Sequence, residues 1–242
     1  MKSFFLLSVF STVCFYQVFA QTPRFGIIAG TELSNYSINY SIEHHEYDAW
    51  MQRNGYDKGF SNFYSKLGFK LACEVEFPLS HEIFLVPELV FMQRGTKQDQ
   101  IGNVIYDDNS RDTIFVSYSE TINYLQIPVN VMYKREISPD VLICLYGGPY
   151  VGYAFSGKGK TKAKDGDRQW TNAIKFGYES GEYKTFDIGL TVGAGIEYLD
   201  YFLRIQYTHG LENLLNWDKA NYNKRDDYQR NRSFGIAVGY LF

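Results

Sequence analysis

The chain has 242 residues, a formal net charge of -3 and 18% aromatic residues, chiefly Tyr and Phe, with 21 glycines. That length allows one large or two small domains, and the weak negative charge gives no electrostatic footprint for nucleic acid. The abundance of Tyr, Phe and Gly favours β-structure, and six prolines with no long polar low-complexity tract exclude extensive disorder.

The first stretch, "MKSFFLLSVFSTVCFYQVFAQ", places one Lys before an apolar run and ends in a Val18-Phe19-Ala20 small-x-small site. It reads as a secretory signal peptide over residues 1–20, which leaves Gln21 as the first mature residue and 21–242 as one barrel domain. Cys14 suggests a lipoprotein signal, but Val13 suits the position before a lipidated Cys poorly. No later stretch approaches the roughly 18 consecutive apolar residues of a transmembrane helix.

Period-2 alternation then appears eight times. The apolar faces run, in chain order, through Phe25, Ile27, Ala29 and Leu33; through Phe63, Leu67, Phe69, Leu71, Val75 and Phe77; and through Ile83, Leu85, Pro87, Leu89 and Phe91. The fourth holds Leu125 to Tyr133, the fifth Val141 to Phe155, and the seventh Tyr201 to Tyr207 at odd positions. The sixth, "FDIGLTVGAGIEY", sorts best: Phe186, Ile188, Leu190, Val192, Ala194, Ile196 and Tyr198 share one face. The eighth closes the chain through Phe234, Ile236, Val238, Tyr240 and Phe242. Cys73 and Cys144 fall on opposite faces in this reading, which predicts two free thiols.

The connections alternate. "PLSHE", "EISPD" and the two-residue "LD" are short, and the last makes Tyr198 and Tyr201 direct partners. The other four are polar, Tyr-rich and roughly 20–30 residues long, well beyond the usual hairpin loop. Short turns and both termini therefore lie at one end, long loops at the other. This predicts an all-β fold: an eight-stranded antiparallel up-and-down transmembrane β-barrel with short periplasmic turns and four long extracellular loops.

Outward aromatics sort by height as such a barrel requires. Phe25, Phe77, Tyr133, Tyr198, Tyr201 and Phe242 lie at the turn end. Phe63, Phe91, Tyr153, Phe155, Phe186, Tyr207 and Phe234 lie at the loop end. The inward faces carry six basic residues (Arg24, Lys66, Lys70, Arg94, Lys134, Arg204) and six acidic ones (Glu32, Glu74, Glu76, Glu88, Asp187, Glu197), with Gln126 and Asn130. An eight-stranded barrel is just wide enough for side chains to fill it, so these charges are expected to pair into a structural plug rather than line an open porin.

Other motifs carry little chemistry. "GYAFSGKG" lacks the Ser or Thr of a phosphate loop and no helix follows it, so a basic loop over "GKGKTKAK" is expected. "GAGIEY" lies inside a strand, which excludes a dinucleotide fingerprint. "EHHEYD" (Glu43, His44, His45, Glu46, Asp48) reads as a solvated loop rather than a zinc site, and "DGD" at Asp165–Asp167 lacks the rest of a calcium loop. His81 on a turn and His209 near a strand end sit in no triad pattern. No catalytic residue, cofactor or metal is expected. "NWDKANYNKRDDYQRNR" reads as a solvated external loop, with lipopolysaccharide phosphates or a protein partner as the functional alternative for its Arg and Tyr residues.

Six stretches, "RFGIIAGTELSN", "GFKLACEVEFPLSHEIFLVPELVFMQRGTK", "INYLQIPVNVMYK", "GPYVGYAFSGK", "FDIGLTVGAGIEY" and "GIAVGYLF", together resemble the PorT-type outer-membrane β-barrel family of Bacteroidota. The resemblance covers the strands and implies insertion by the barrel assembly machinery, with a possible accessory part in secretion or envelope assembly; it transfers no catalytic residues. The terminal aromatics Phe234, Tyr240 and Phe242 also resemble the signal that machinery reads. The expected protein is a non-enzymatic integral outer-membrane barrel with a plugged lumen and external loops for partner or surface contact. A small-solute channel or ligand-binding barrel is the second reading, and a secreted lipocalin-like barrel the third.

Overall fold

The computed structural model describes residues 22–39, 62–105, 111–163, 169–177, 182–215 and 228–242. Ten strands form one antiparallel sheet: β1 (Arg24–Asn39), β2 (Asn62–Pro78), β3 (Ile83–Arg94), β4 (Thr96–Ile105), β5 (Arg111–Ser138), β6 (Val141–Ala163), β7 (Gln169–Ala173), β8 (Phe186–Tyr198), β9 (Tyr201–Gly210) and β10 (Tyr228–Leu241). β3 and β4 run end to end against β5 in one continuous register, from Ile83↔Tyr133 through Arg94↔Ile122 to Ile105↔Arg111. β7 pairs with β6 alone. Eight staves therefore remain, and β10 pairs with β1 to close the barrel. The Phe242 N–H donates to the Phe25 carbonyl at 2.7 Å, so hydrogen bonding continues to the last residue. Closure of this kind leaves no sheet edge to satisfy in lipid.

The faces follow the alternation. Phe25, Leu71, Val151, Ile188, Val192, Leu203 and Val238 are exposed, while the intervening residues fill the interior. Cys73 faces outward and Cys144 is buried, and neither is paired with another cysteine. A lipocalin-like arrangement needs the reverse sorting, with the apolar face inside. The turns stay short: Tyr198 pairs with Tyr201 as expected, and Ser138 pairs with Val141, so "EISPD" shrinks to a two-residue turn at Pro139 and Asp140. Leu199 and Asp140 adopt positive φ, 54° and 65°, within the two tightest turns. In the remaining turn the Ser80 hydroxyl accepts the Ile83 N–H at 3.1 Å.

Two expectations change above the barrel wall. The second long connection is mostly a hairpin of β4 and the first part of β5, with only 106–110 between the strands. "GKGKTKA" is not a loop, because it continues β6 between β5 and β7. Both extensions lack apolar alternation because neither lies at the height of the hydrocarbon core.

The ladder also slips. β2 pairs with β3 through Lys70↔Met92 but with β4 through Ser65↔Thr96, one residue out of step. Such a bulge turns a side chain to the other face of the sheet. Gly95 lies at this point, where a Cβ would stand 2.0 Å from the Glu120 carbonyl oxygen. The buried Ser34 hydroxyl fills the break, accepting the Gly95 N–H at 2.8 Å.

Candidate functional site

The interior is built in levels. At the floor, beside the short turns, Arg204 reaches Glu74 with both terminal nitrogens at 2.6 and 2.9 Å and Glu76 at 3.3 Å. Lys134 bridges Glu76 and Glu197 at 2.7 and 2.6 Å. Arg24 closes the cluster from the rim, 2.7 Å from Glu197 and 3.2 Å from Asp200. Aromatic rings back the cations: Arg204 lies 3.8 Å from the Phe202 centroid and Lys134 5.1 Å from that of Phe84. Ile28, Phe202 and Leu241 pack together on the β1–β10–β9 side of the interior. These contacts follow from β2 placing Glu74 and Glu76 at successive inward positions while β5 and β9 face them with one cation each.

At mid-height, Lys70 lies 3.0 Å from the Gln206 side-chain oxygen and 3.5 Å from Glu88. Asn130 donates to Glu88 at 2.8 Å and accepts from Thr191 at 2.7 Å. A void beside Lys70, Glu88, Arg204 and Gln206 measures about 10 Å³, the room of one water. Above it, Arg94 is fully buried between the rings of Tyr124 and Tyr150, 5.9 and 5.5 Å from their centroids. It faces Glu32 at 3.4 Å and Asp187 at 3.6 Å. Asp187 also accepts from Tyr150 at 3.0 Å and Asn231 at 2.8 Å.

The mouth is capped. Glu120 is buried and accepts hydrogen bonds from Tyr36, from Tyr183 at 2.8 Å and from Tyr118 at 3.4 Å. Tyr183 comes from the connection after β7, whose Ile174 and Phe176 also pack onto the buried Val90, Met92, Ile122 and Tyr124. Leu214, from the last connection, is completely buried.

Lys66 does not join this network. Its ammonium bonds the Ser119 hydroxyl at 3.0 Å, the Glu120 carbonyl at 2.8 Å and the Thr121 hydroxyl. The register slip in β2 is the cause, since parity counted from Lys70 no longer holds beyond it. Glu120 takes a place that the alternation did not assign. The balanced set of charges thus becomes, among the described residues, five basic side chains facing seven acidic ones.

Residues 19–216 match the family described as outer membrane protein beta-barrel domain. The chain belongs to that family. The outer-membrane β-barrel therefore resides in the bacterial outer membrane, with its apolar wall toward lipid. No curated protein matches it. Among solved structures, Ail, the attachment invasion locus protein of Yersinia pestis in complex with the heparin analogue sucrose octasulfate, is similar with a TM-score of 0.39 at 13% identity, over 92% of this chain and 100% of Ail. Neisserial surface protein A is similar with a TM-score of 0.40 at 11% identity, over 92% of this chain and 100% of its own. The translocator domain of the autotransporter NalP from Neisseria meningitidis gives 0.27 at 10%, over 98% and 95%.

In this outer-membrane barrel the remaining candidates stay apart. His81 is exposed on its turn, and His209 contacts Tyr207, ring nitrogen to hydroxyl, at 3.3 Å. "EHHEYD", "DGD", most of "NWDKANYNKRDDYQRNR" and the segment 1–20 lie outside the described residues, and of Phe63 only the backbone is described. Tyr240 packs between Tyr201 and Phe242, with centroids 5.0 and 5.1 Å away, and Phe234 is exposed on the same strand. Alternation would have revealed Tyr36 and Glu120 as inward had it been continued past Ser34 and back from Gln126. Nothing in the sequence marks Tyr183 as their partner.

Burial beside the Glu120 carboxylate pushes the Tyr183 phenol well above its ordinary value. The unfolded chain ionises this group near pH 10. The stability it contributes is fully present below that pH and is lost as pH rises toward the folded value. Tyr183→Phe is expected to cost about 1–2 kcal/mol at neutral pH. It should also flatten the fall in stability above pH 10, measured by urea unfolding across pH.

Proposed function

We propose that the protein is a non-enzymatic integral outer-membrane barrel with a closed interior, whose external segments contact surface lipid, lipopolysaccharide or a protein partner. In this reading it is a PorT-type barrel of Bacteroidota, accessory to secretion or envelope assembly. Residues 1–20 are a cleaved signal peptide and 21–242 the barrel domain. The barrel assembly machinery inserts it, reading Phe234, Tyr240 and Phe242 on the last strand.

The observation that carries the closed-barrel reading is the filled interior: ion pairs at the floor, a void of about 10 Å³ at mid-height and a Tyr-Glu cap at the mouth. Lys134, Arg204 and Asp187 each hold two or three interior partners, which supports the closed reading. The purified protein in planar bilayers is expected to show no sustained single-channel steps. Steady, sizeable steps would establish the small-solute channel instead.

A further inference from the structure

The outer wall changes character above its upper aromatics. Phe91 and Phe155 meet there in a tilted pair with centroids 5.9 Å apart, and Tyr153 meets Phe186 at 5.5 Å. Just beyond Phe155, β6 reads Lys158, Lys160 and Lys162, all exposed, with Gly159 buried between the first two. A register shift where Asn123 pairs with Ser156 and Tyr124 with Ala154 turns these even-numbered residues outward. The inner face at this height is taken by Tyr118, whose hydroxyl would lie 2.6 Å from a Cβ on Gly159.

Strand pairing assembles the lysines into one strip. Lys160 stands opposite Ser119, and Ser119 opposite Lys97; Lys158 stands opposite Thr121. Antiparallel partners share a face, so Lys97, Lys158, Lys160 and Lys162 occupy a single outward surface across three neighbouring strands. Lys66 lies beside it: its ammonium rests on Ser119, Thr121 and the Glu120 carbonyl, close enough to feel the charges of Lys97 and Lys158 against that of the Glu120 carboxylate. The carboxylate that the register places on this surface is Asp99, opposite Ser117 in the Lys162 row. Like charges side by side on a sheet face are destabilising, so this arrangement calls for an external anion.

Its height suggests which anion. A strand rises about 3.3 Å per residue, and barrel strands tilt by roughly 40°. Lys158 therefore stands about 8 Å above Phe155 and Lys160 about 13 Å. The headgroup layer is only about 5–8 Å deep on each side of the hydrocarbon core. The strip begins at headgroup level and continues past it, matching a lipid whose phosphates and sugars extend outward.

We propose that this strip binds the phosphates of a phosphorylated glycolipid in the outer leaflet, with Lys97, Lys158, Lys160 and Lys162 as the charged donors. The site rests on the surface-contact reading given above but assigns it to the sheet wall rather than to the Arg-rich last loop. Lysine ammonium groups suit this role as mobile point charges for phosphate.

The test uses the full folded protein in detergent, titrated with bis-phosphorylated lipid A and with the same lipid dephosphorylated, bound lipid being counted by native mass spectrometry. The wild type is expected to prefer the phosphorylated lipid by roughly tenfold or more, given the attraction contributed by each lysine near a charged surface. The combined variant Lys97→Gln, Lys158→Gln, Lys160→Gln and Lys162→Gln is expected to lose that preference while keeping its heat-modifiable gel mobility. Arg135→Gln, at an exposed cation near the short turns at the opposite end of β5, is expected to retain it. Equal affinity of the combined variant and the wild type for the phosphorylated lipid would overturn the site, as would full displacement by equimolar inorganic phosphate. A wild type that binds both lipids equally would remove the phosphate site and leave lipid contact standing. Binding of neither would remove both.

Discussion

Arg204→Ala is expected to lower the free energy of unfolding by about 3–5 kcal/mol, the usual cost of deleting one partner of a buried ion pair. Arg204 is almost wholly buried and holds Glu74 in a two-point contact at 2.6 and 2.9 Å. Glu76 keeps Lys134 at 2.7 Å when Arg204 is gone, whereas Glu74 loses the cation that faces it. The cost therefore falls chiefly on Glu74, which is left charged beside Glu76 and away from water. Arg204→Met combined with Glu74→Gln is expected to recover at least half of the loss, because it removes the stranded charge as well as its partner. Urea unfolding in lipid vesicles, followed by gel mobility, gives both numbers. A double variant no more stable than Arg204→Ala would mean that the floor is held by packing against Phe202 and not by the ion pair.

Gly148→Ala is expected to prevent the barrel from closing. A Cβ at Gly148 would lie 2.0 Å from the Val129 carbonyl oxygen and 2.8 Å from its carbon. Both are backbone atoms in the middle of β5 and cannot swing aside. The pairing of β5 with β6 runs from Pro128↔Tyr150 directly to Val131↔Gly147, so the strands approach here without regular ladder partners. Forcing them apart strains the wall by about 3 kcal/mol or more. It would also pull Thr191 from the Gly148 carbonyl, now at 3.2 Å. Gly147→Ala is the control, since its Cβ would meet one carbonyl oxygen at 3.1 Å and nothing else nearer than 3.8 Å. The expected folding yield in vesicles is less than about a tenth of wild type for Gly148→Ala and near wild type for Gly147→Ala.

The membrane-spanning part of this fold was legible because the bilayer enforces strict alternation there. Each outward position meets lipid, so Leu71, Ile188 and Leu203 are apolar, while Glu74, Asp187 and Arg204 turn inward. The turn at Leu199 and Asp200 was equally plain from its length and the two flanking tyrosines. Above the membrane that constraint ends. The hairpin of β4 and β5 and the extension of β6 through Lys162 are freed from the hydrocarbon's demand for an apolar outer face, so their strands leave no periodic trace. Single-residue slips defeated the rest. Lys66 was expected in the lumen by counting twos from Lys70, and the bulge opposite Gly95 broke the count. Lys158 and Lys160 were expected in a loop, and the shift after Ala154 gave them a wall to stand on. The cap of Glu120 by Tyr36 and Tyr183 joins residues 84 and 63 positions away on the chain, which no local pattern encodes.

The central claim is that the apolar face meets lipid while the charged face fills a closed interior. Cys73 and Cys144 test it most directly, because Cys73 lies on the outer wall and Cys144 in the core. The protein should be reconstituted in vesicles containing brominated acyl chains and treated with a thiol-reactive fluorophore before and after unfolding. The account predicts that Cys73→Ser leaves a folded protein whose Cys144 reacts only once unfolded. It also predicts that Cys144→Ala, unfolded, labelled at Cys73 and then refolded into these vesicles, gives fluorescence strongly quenched by the brominated lipid. Rapid labelling of Cys144 in the folded protein, together with unquenched label at Cys73, would contradict it.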